Sequence, residues 1–173
     1  MLRNSSGHNT IIVEGVDGMG KSYLTSQLGD TLKRDVLTCG PAPKTFEEIK
    51  YWVNEHEKYV LIGDKILDRV TAFSHYVYKT TLGSTIHKDF LHYRAKRLAS
   101  HDAIIILCKT DTPAHELKDY DDPKQVELIM ENIDKLHAAY LALFEDIGVE
   151  PIIYDWKAPN AFALLLKKLK DMK

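Results

Sequence analysis

The protein has 173 residues, which is enough for one domain of ordinary size but not for two. Hydrophobic residues make up 45% of the chain and charged residues 28%, which excludes a disordered tail protein, a collagen-like repeat and a membrane bundle. The 23 Lys and Arg residues are outnumbered by 25 Asp and Glu residues, and the resulting net charge of −2 does not favour a dedicated nucleic-acid binder.

Three features of the sequence favour a reduced, cytoplasmic protein without a membrane span. Residues 1–8 are polar and contain no apolar signal segment, so we expect a short flexible tail before a single domain over residues 9–173. No run approaches the roughly 18 uninterrupted apolar residues that a membrane helix needs. Cys39 and Cys108 lie far apart and form no C-x-x-C pair, which predicts neither a disulfide framework nor a zinc site.

Short apolar runs alternate with amphipathic stretches along the whole chain. In chain order, the predicted elements are strand 9–14, helix 21–34, strand 35–38, helix 45–60, strand 65–68, helices 71–80 and 84–100, strand 103–109, helix 123–147, strand 151–154 and helix 159–170. Strands separated by helices predict right-handed crossovers and a parallel sheet that is covered on both faces. The fold class is therefore a three-layer α/β domain.

Local signals support two of the helix starts and one helix end. Thr45 followed by Glu48 is a capping box, which predicts that a helix begins there. Asp122 and Pro123 supply an N-cap and a proline at the first helical position. Gly148 is placed to end that helix.

The loop after the first predicted strand carries the strongest chemical signal. Residues 15–22 read GVDGMGKS and fit G-x-x-x-x-G-K-[ST], with the strand before and the helix after that the phosphate-binding loop requires. Glycines let backbone N–H groups point at a phosphate at the positive end of a helix. Lys21 is expected to reach the β- and γ-phosphates, and the Ser22 hydroxyl to bind Mg²⁺. The predicted ATP-binding residues here are Gly15, Val16, Asp17, Gly18, Met19, Gly20, Lys21, Ser22 and Tyr23.

The loop predicts that the protein binds a nucleotide but does not predict which reaction it catalyses. A GTPase is the first class to consider. Residues 108–111 read CKTD and follow a strand, as the guanine-reading N-K-x-D signature does, but the asparagine is missing. No D-x-x-G occurs between the phosphate loop and that strand. A switch GTPase is therefore not favoured.

Asp68 and Arg69 form the second informative site, at the carboxyl end of the third predicted strand. Ligands of open parallel sheets bind at this edge, so we expect Asp68 near Mg²⁺ and Arg69 near a phosphate. The alternative is an ordinary ion pair at a strand end. Glu14 and Asp17 belong to the same edge and are candidates for holding metal-bound water, or, for Asp17, for contacting the sugar of an acceptor.

These residues resemble a known group of enzymes. EGVDGMGKS, followed by D-R at the end of a later strand, resembles the P-loop thymidylate kinase and deoxynucleoside kinase group. Residues 68–78, DRVTAFSHYVY, resemble the D-R-H-P-x-x-S-x-x-V-Y stretch of small phage-type deoxynucleotide kinases, and the turn at residues 40–43 is also similar. The matching positions are Asp68, Arg69, Ser74, Val77 and Tyr78, whereas Val70 and Thr71 depart.

The resemblance implies a fold, a reaction and a set of site residues. It implies a sheet in the order 2-3-1-4-5 and transfer of the ATP γ-phosphoryl group, with Mg²⁺, to a nucleoside monophosphate such as dTMP. It places Lys21, Asp68 and Arg69 in catalysis and Ser22 and Asp68 at the metal. Asp17, Arg69, Ser74 and Tyr78 become candidates for the acceptor site, and a homodimer is compatible with this fold.

Departures from the family pattern leave the acceptor site open. The helix before the D-R strand has no arginine; Phe46, Tyr51 and Trp52 are its aromatic candidates, with Trp52 assigned to the acceptor, and Lys44 and Lys50 are the nearby cations. The lid, at about residues 110–125, contains only Lys118 and Lys124.

Two arginines and a tryptophan are further candidates. Arg94 and Arg97 share a helix face and either bind acceptor phosphates or belong to a solvated charged face. Trp156 follows the fifth strand and either stacks on adenine or has an ordinary packing role within the protein.

The class of acceptor has alternatives. A nucleoside hydroxyl would need a carboxylate, Glu14 or Asp68, to accept its proton. A hydroxymethylated base in DNA is a third acceptor, against which the absence of a basic excess counts. A nucleotide-binding module without catalysis is a different class, against which the intact Lys21, Ser22 and Asp68 count. The expected partners are thus small-molecule nucleotides, with nucleic acid disfavoured.

Overall fold

A computed structural model describes residues 8–40, 42–110 and 123–172. Within these ranges the chain forms five strands and six helices that alternate along most of its length. They are β1 (Ile11–Glu14), α1 (Lys21–Leu32), β2 (Asp35–Thr38), α2 (Phe46–Ile62), β3 (Lys65–Asp68), α3 (Thr71–Thr81), α4 (Lys88–Ala99), β4 (Ile104–Cys108), α5 (Pro123–Asp146), β5 (Ile152–Tyr154) and α6 (Ala161–Asp171). Residues 1–7 of the predicted tail, most of the lid with Lys118, and the predicted cap Asp122 lie outside the described residues.

The five strands form one parallel sheet in the order β2-β3-β1-β4-β5, which confirms the predicted fold class. Strand β1 is central and pairs with β3 on one side and β4 on the other. Its register places Val13 beside Asp68 and Glu14 beside Leu107. Because all strands run in the same direction, their carboxyl ends meet at one edge of the sheet, where the polar residues collect.

The core lies on both faces of the sheet, as continuous apolar strands predict. Ile11, Ile12 and Val13 are at most 1% exposed, and Phe73 of α3 meets Phe144 of α5 edge to face on one side of the sheet. Strand β2, at the edge, has exposed residues at both of its ends. Among the described helices none is both long and apolar enough to span a bilayer.

The predicted starts of β2 and β3 and the capping at Thr45 are confirmed. Thr45 Oγ1 accepts a hydrogen bond from the Glu48 N–H at 3.2 Å, and a Glu48 carboxylate oxygen accepts one from the Lys44 N–H at 2.7 Å. This double cap fixes where α2 starts, and hence which of its side chains turn toward the sheet edge.

Several predicted boundaries are wrong, and left-handed residues explain three of them. Helix α4 begins at Lys88 rather than at residue 84, because His87 has φ 61° and ends a separate turn. Helix α1 ends at Leu32, since Lys33 adopts φ 56°. Helix α6 begins two residues late, after Asn160 at φ 55°. Strands β1, β4 and β5 are each shorter than their apolar runs.

Candidate active site

The loop between β1 and α1 is shaped by glycines that no other residue could replace without distortion. Gly15 has φ 141°, and a Cβ atom there would lie 2.5 Å from the Cys108 carbonyl oxygen of the neighbouring strand β4. Gly20 has φ 79° and immediately precedes α1. The loop is therefore pressed against the sheet edge, with the positive end of α1 directed at it.

Trp156 packs against this loop. A Cβ atom on Gly20 would lie 3.2 Å from Trp156 Cδ1, so the indole covers the point where α1 begins. The side chain remains 40% exposed, and Lys157 Nζ lies 5.2 Å from the centre of its ring. Tyr23, by contrast, is 64% exposed one turn into α1.

Lys21 is folded back over the loop that it follows. Its Nζ donates a hydrogen bond to the Val16 carbonyl at 2.9 Å and lies 3.6 Å from Asp17 Oδ1. The lysine is only 6% exposed, and burial lowers its pKa, with the nearby Arg69 acting in the same direction. An anion at the loop would therefore meet an amine that has already lost most of its contact with water.

Asp17 joins the loop to Arg69. One carboxylate oxygen, Oδ1, faces both Lys21 Nζ and an Arg69 Nη2 nitrogen, with which it forms an ion pair. The Asp17 N–H donates a hydrogen bond to the Tyr78 hydroxyl at 3.1 Å. Burial alone would raise the pKa of Asp17, but Arg69 and Lys21 overcome that effect and lower it below its usual range. Asp17 is thus a buried carboxylate held ionised by two cations; we call it, with Lys21 and Arg69, the Asp17 cluster.

Ser22 and Asp68 face each other across the loop cavity. The Ser22 hydroxyl donates a hydrogen bond to Asp68 Oδ2 at 2.9 Å, joining the first turn of α1 to the end of β3. A hydroxyl and a carboxylate are the hard oxygen donors that Mg²⁺ prefers, with substrate phosphates completing its coordination. The Ser22 hydroxyl and the Asp68 carboxylate are therefore suitable ligands for Mg²⁺.

Arg69 has the left-handed φ of 75°, which is uncommon for a residue with a long side chain. Strand β1 holds this turn: the Arg69 N–H donates to the Val13 carbonyl at 2.9 Å, and the Val70 N–H donates to Glu14 Oε1 at 2.6 Å. A non-glycine residue keeps such a conformation only where its surroundings impose it. Here the imposed conformation directs the guanidinium toward Asp17.

Glu14 is completely buried, and its two oxygens are used within the fold. Oε2 accepts a hydrogen bond from the Tyr140 hydroxyl at 3.1 Å, and Oε1 is taken by the Val70 N–H. Burial raises the pKa of Glu14 to about 7, although Val70 N–H, Arg69 and Lys21 oppose that shift. Glu14 is not among the described residues that line the cavities below, so these contacts favour neither a metal-water role nor a general-base role for it.

Two cavities lie at this edge of the sheet and meet at three residues. The first, of about 360 Å³, is lined by the loop together with Thr38, Ser22 and Asp68. The second, of about 670 Å³, extends along one face of α3. The residues that line both cavities are Asp17, Cys39 and Arg69.

The second cavity has an excess of positive charge. Among the described residues that line it, Lys44, Arg69 and Lys79 are cations and Asp17 is the single carboxylate. His75 also lines it, and burial together with Lys79 and His87 lowers the pKa of that imidazole to about 4, so that the ring is neutral at pH 7. This excess of cations suits a ligand that carries a phosphate.

Ser74 and Tyr78, predicted from the D-R stretch, line the second cavity. Sequence reasoning did not assign Cys39, His75 and Lys79 to the site. His75 and Lys79 could have been predicted from the sequence, because the cavity-lining residues of α3 recur at intervals of one and three and so share one helix face. These residues are Thr71, Ser74, His75, Tyr78 and Lys79, and Leu82, directly after the helix, continues the pattern.

Arg94 and Arg97 are not brought to either cavity; as far as the structure describes the lining, they are absent from it. Both reach across to Glu57 of α2: Arg94 Nη2 lies 2.7 Å from Oε2, and Arg97 Nε lies 2.5 Å from Oε1. His101 Nε2 lies 3.3 Å from the same carboxylate. The predicted acceptor contact is corrected accordingly, since the arginine face of α4 packs on α2 and not on the sheet edge. We call these four residues the Glu57 cluster.

The aromatic candidates of α2 are also placed elsewhere. Trp52 stacks on His56 with ring centroids 5.7 Å apart, and its ring lies beneath Gly40. Phe46 stacks on His87 at 4.1 Å, and Tyr51 is 58% exposed. None of the three is among the described residues that line the two cavities at the sheet edge, so Trp52 is not placed against the acceptor as predicted.

The sheet order and the glycine loop between its first strand and first helix define a three-layer P-loop NTPase fold. No protein-family model matches the sequence, and no curated protein matches it significantly. The structure is similar to that of the YorR protein of Bacillus subtilis in complex with phosphorylated GDP, with 19% identity, 95% of this chain and 99% of that chain covered, and a TM-score of 0.62.

Two further structures with a similar fold are those of a nucleoside kinase and a nucleotide kinase. Deoxyadenosine kinase from M. mycoides, with the products dCMP and dCDP, is 17% identical over 95% of this chain and 100% of that chain, with a TM-score of 0.65. Thymidylate kinase from Ehrlichia chaffeensis is 13% identical over 96% of this chain and 99% of that chain, with a TM-score of 0.54. The resemblance predicted from the motifs is thus confirmed at the level of the fold.

Proposed function

We propose that the protein transfers the γ-phosphoryl group of ATP to a nucleoside or deoxynucleoside monophosphate. The observation that carries this proposal is the meeting of two cavities at Asp17, Cys39 and Arg69. One cavity is lined by the phosphate loop, and the other, of about 670 Å³ and with an excess of cations among its described residues, is large enough for a second substrate. A group that passes between the two ligands would cross the boundary beside Arg69.

The donor side is built from the loop and α1. Backbone N–H groups of residues 15–22 and the amino end of α1 would bind the ATP phosphates. Lys21 would exchange its contacts with Val16 and Asp17 for phosphate oxygens, which compete well because the amine is already desolvated. Trp156, against Gly20, is the aromatic surface available to adenine on this side.

Ser22 and Asp68 would hold Mg²⁺, which supplies charge neutralisation between the β- and γ-phosphates when it is bound. The hydrogen bond between these two side chains brings a loop residue and a strand-end residue together before any substrate arrives. That pre-formed pairing reduces the ordering that nucleotide binding must complete.

The acceptor side favours a monophosphate over a nucleoside. Three cations face one carboxylate in the second cavity, and Arg69 offers a planar fork that suits a phosphate. A nucleoside hydroxyl would instead need a free carboxylate base. Glu14 has both oxygens engaged, and Asp17 is paired with two cations. Asp68 accepts a hydrogen bond from Ser22 and is among the described residues of the first cavity but not of the second, so it is placed for the metal and not for the acceptor.

The chemical step then needs positioning more than proton transfer. An ionised oxygen of the acceptor phosphate attacks the γ-phosphorus, the bond from that phosphorus to the β–γ bridging oxygen breaks, and ADP leaves with the electron pair. Arg69 would align the acceptor phosphate, and Lys21 would stabilise charge on the transferred group. Asp17 would keep Arg69 in place after Lys21 has moved to the phosphates and, on the cavity side, offer an acceptor to a sugar hydroxyl.

The test is ATP- and Mg²⁺-dependent transfer to a panel of acceptors. The panel contains the common dNMPs and NMPs, the matching nucleosides, and DNA with hydroxymethylated bases. Lys21→Ala is the inactive variant, and Lys167→Ala, an exposed lysine of α6, is the matched control. We expect product from one or a few monophosphates, lost in the first variant and kept in the second.

Other outcomes have defined meanings. Product from nucleosides alone would overturn the monophosphate assignment and require a carboxylate to act as the base. Product from DNA alone would reject both small-molecule acceptors. ATP binding without any product would mean a nucleotide-binding module, and the enzymatic proposal would be wrong.

A further inference from the structure

The turn that carries Arg69 is held from two sides. Strand β1 holds its first half, through the bonds of Arg69 and Val70 described above. The second half is held by Cys39, directly after β2, and by His56 of α2. The Thr71 N–H donates to His56 Nδ1 at 3.2 Å, and the Arg69 carbonyl accepts from the Cys39 thiol at 3.4 Å.

The same two side chains also contact each other. His56 Nε2 lies 3.1 Å from Cys39 Sγ. Because a backbone N–H can only donate, Nδ1 of His56 must be the acceptor, and the proton of the neutral ring is on Nε2. The bonds therefore run in one direction: Thr71 N–H to Nδ1, Nε2–H to Sγ, and Sγ–H to the Arg69 carbonyl.

This pair has the properties of a support rather than of a nucleophile and its base. His56 is 4% exposed, and burial lowers its pKa to about 4. Burial likewise raises the pKa of the Cys39 thiol to about 11. Both groups are neutral at pH 7, whereas a reactive thiol would be a thiolate beside a cation.

Location separates His56 from the substrates. It is not among the described residues that line either cavity, and Trp52 covers its ring by stacking at 5.7 Å. Any effect of His56 on catalysis must therefore pass through Cys39 or Thr71 to the turn. Cys39 lines both cavities, so its substitution would also change a direct contact.

We propose that His56, with Cys39, is a positioning residue: it holds the turn at residues 69–71, so that Arg69 keeps the left-handed conformation that directs its side chain to the boundary between the two cavities. The proposal rests on the proposed function for its kinetic consequence, but the geometry of the turn can be tested without it.

The kinetic test is a double-mutant cycle of His56→Phe with Arg69→Ala. His56→Phe removes both ring nitrogens and leaves the Thr71 N–H without its acceptor. We expect kcat/KM for the acceptor to fall roughly 10- to 100-fold, the size of loss that small misplacements of a reacting group cause. The dissociation constant of ATP should change less than about twofold, because the loop is held by other contacts. In the Arg69→Ala background, His56→Phe should have almost no further effect.

Two variants separate positioning from general stability. Val53 lies three residues before His56 on α2 and is 3% exposed. Val53→Ala leaves a cavity in the core there without changing any contact of residues 69–71. It should lower the melting temperature while leaving kcat/KM unchanged. His56→Asn keeps an acceptor for the Thr71 N–H but cannot reach Cys39, and should recover part of the activity.

The geometric test is amide hydrogen exchange at Thr71 in the wild type, His56→Phe and Val53→Ala. We expect exchange at Thr71 to accelerate at least tenfold in His56→Phe, beyond any change in global stability, and to follow global stability in Val53→Ala. Unchanged protection, or kinetic effects that simply add in the cycle, would overturn the proposal. If no acceptor is phosphorylated, the proposed function fails, and the exchange result decides this inference alone.

Discussion

The Asp17 cluster and the Glu57 cluster have similar chemistry and different surroundings. Each places a nearly buried carboxylate against two cations, at 6% exposure for the Asp17 side chain and 10% for that of Glu57. The Asp17 cluster borders two cavities at the carboxyl edge of the sheet. The Glu57 cluster joins α2 to α4 away from that edge. Glu57 and Arg97 also border an open cavity, of about 460 Å³, but no described residue of the phosphate loop lines it. A charge pair beside a cavity therefore does not mark a site by itself; the phosphate loop does.

The largest difference that we expect between the clusters is in kcat/KM after the substitution of one arginine in each, Arg69 or Arg97. Arg69→Ala should lower kcat/KM for the acceptor by about 10²- to 10³-fold, since it removes the planar fork aimed at the reacting phosphate. Arg97→Ala removes a cation of the same type from the other cluster and should change kcat/KM less than about twofold. Steady-state kinetics with the acceptor found in the panel measure both. Equal losses would show that the clusters are functionally alike and contradict the comparison.

The phosphate loop, which supports only the Asp17 cluster, can be disturbed at Gly15. Gly15→Ala would place a Cβ atom 2.5 Å from the Cys108 carbonyl oxygen, and we expect the free energy of unfolding to fall by about 3 kcal/mol or more, together with ATP affinity. Gly148→Ala is the matched control, because φ is 74° there but nothing lies within 4 Å. It should cost roughly 1–2 kcal/mol from backbone strain alone. Chemical denaturation and ATP titration check both; equal costs would mean that the loop is not pressed against β4.

Glu57→Gln tests the other cluster from its carboxylate side. The amide keeps the shape but loses the charge that pairs with Arg94 and Arg97, and we expect a loss of roughly 1–3 kcal/mol of folding stability. Activity at a temperature well below unfolding should stay within about twofold of the wild type. Denaturant midpoints and initial rates provide the two readings. A loss of activity without a loss of stability would place the Glu57 cluster in catalysis.

The smallest expected effect is on pH dependence and involves His56, the neighbour of Glu57 on α2. Its folded-state pKa of about 4 is below the ordinary 6.5, so the unfolded chain binds more protons between these values. The stability that neutral His56 contributes is present above pH 6.5 and is lost as the pH falls toward 4, with a slope of up to about 1.4 kcal/mol per pH unit. Destabilisation by His56→Asn should therefore be larger at pH 7 than at pH 5.

The difference between wild type and variant is needed because Glu14 acts in the opposite direction. Its pKa is raised to about 7, so its contribution decreases as the pH rises from 4.5 to 7. Subtracting denaturation curves of His56→Asn from those of the wild type removes this background. A pH-independent difference would mean that His56 is not kept neutral by the fold.

The fold was predictable because local patterns agree with one another. Strand β3 coincides with its apolar run at residues 65–68, and the sheet order follows from the resemblance that the phosphate loop and D-R pair carry. Boundaries failed where single residues such as His87 adopt positive φ, which a pattern of hydrophobicity does not encode. Arg94 and Arg97 were correctly placed on one helix face, but the direction of that face depends on how α4 packs.

The support of Arg69 could not be read from the sequence. Cys39 and His56 are separated by 17 residues, and Cys39 and Arg69 by 30, with no motif to connect them. A single histidine inside an amphipathic helix has the same appearance whether it supports a turn or fills a core. Only the three-dimensional contacts distinguish these cases.

The positions of the two tryptophans provide the protein with its own optical probes. Trp156 lies against Gly20 of the phosphate loop, and Trp52 stacks on His56 behind the Arg69 turn. Since the chain contains only these two, Trp52→Phe leaves an emission signal from beside the phosphate loop, and Trp156→Phe leaves one from behind the Arg69 turn. Intrinsic fluorescence can thus report changes at the loop and at the turn separately, without any attached dye.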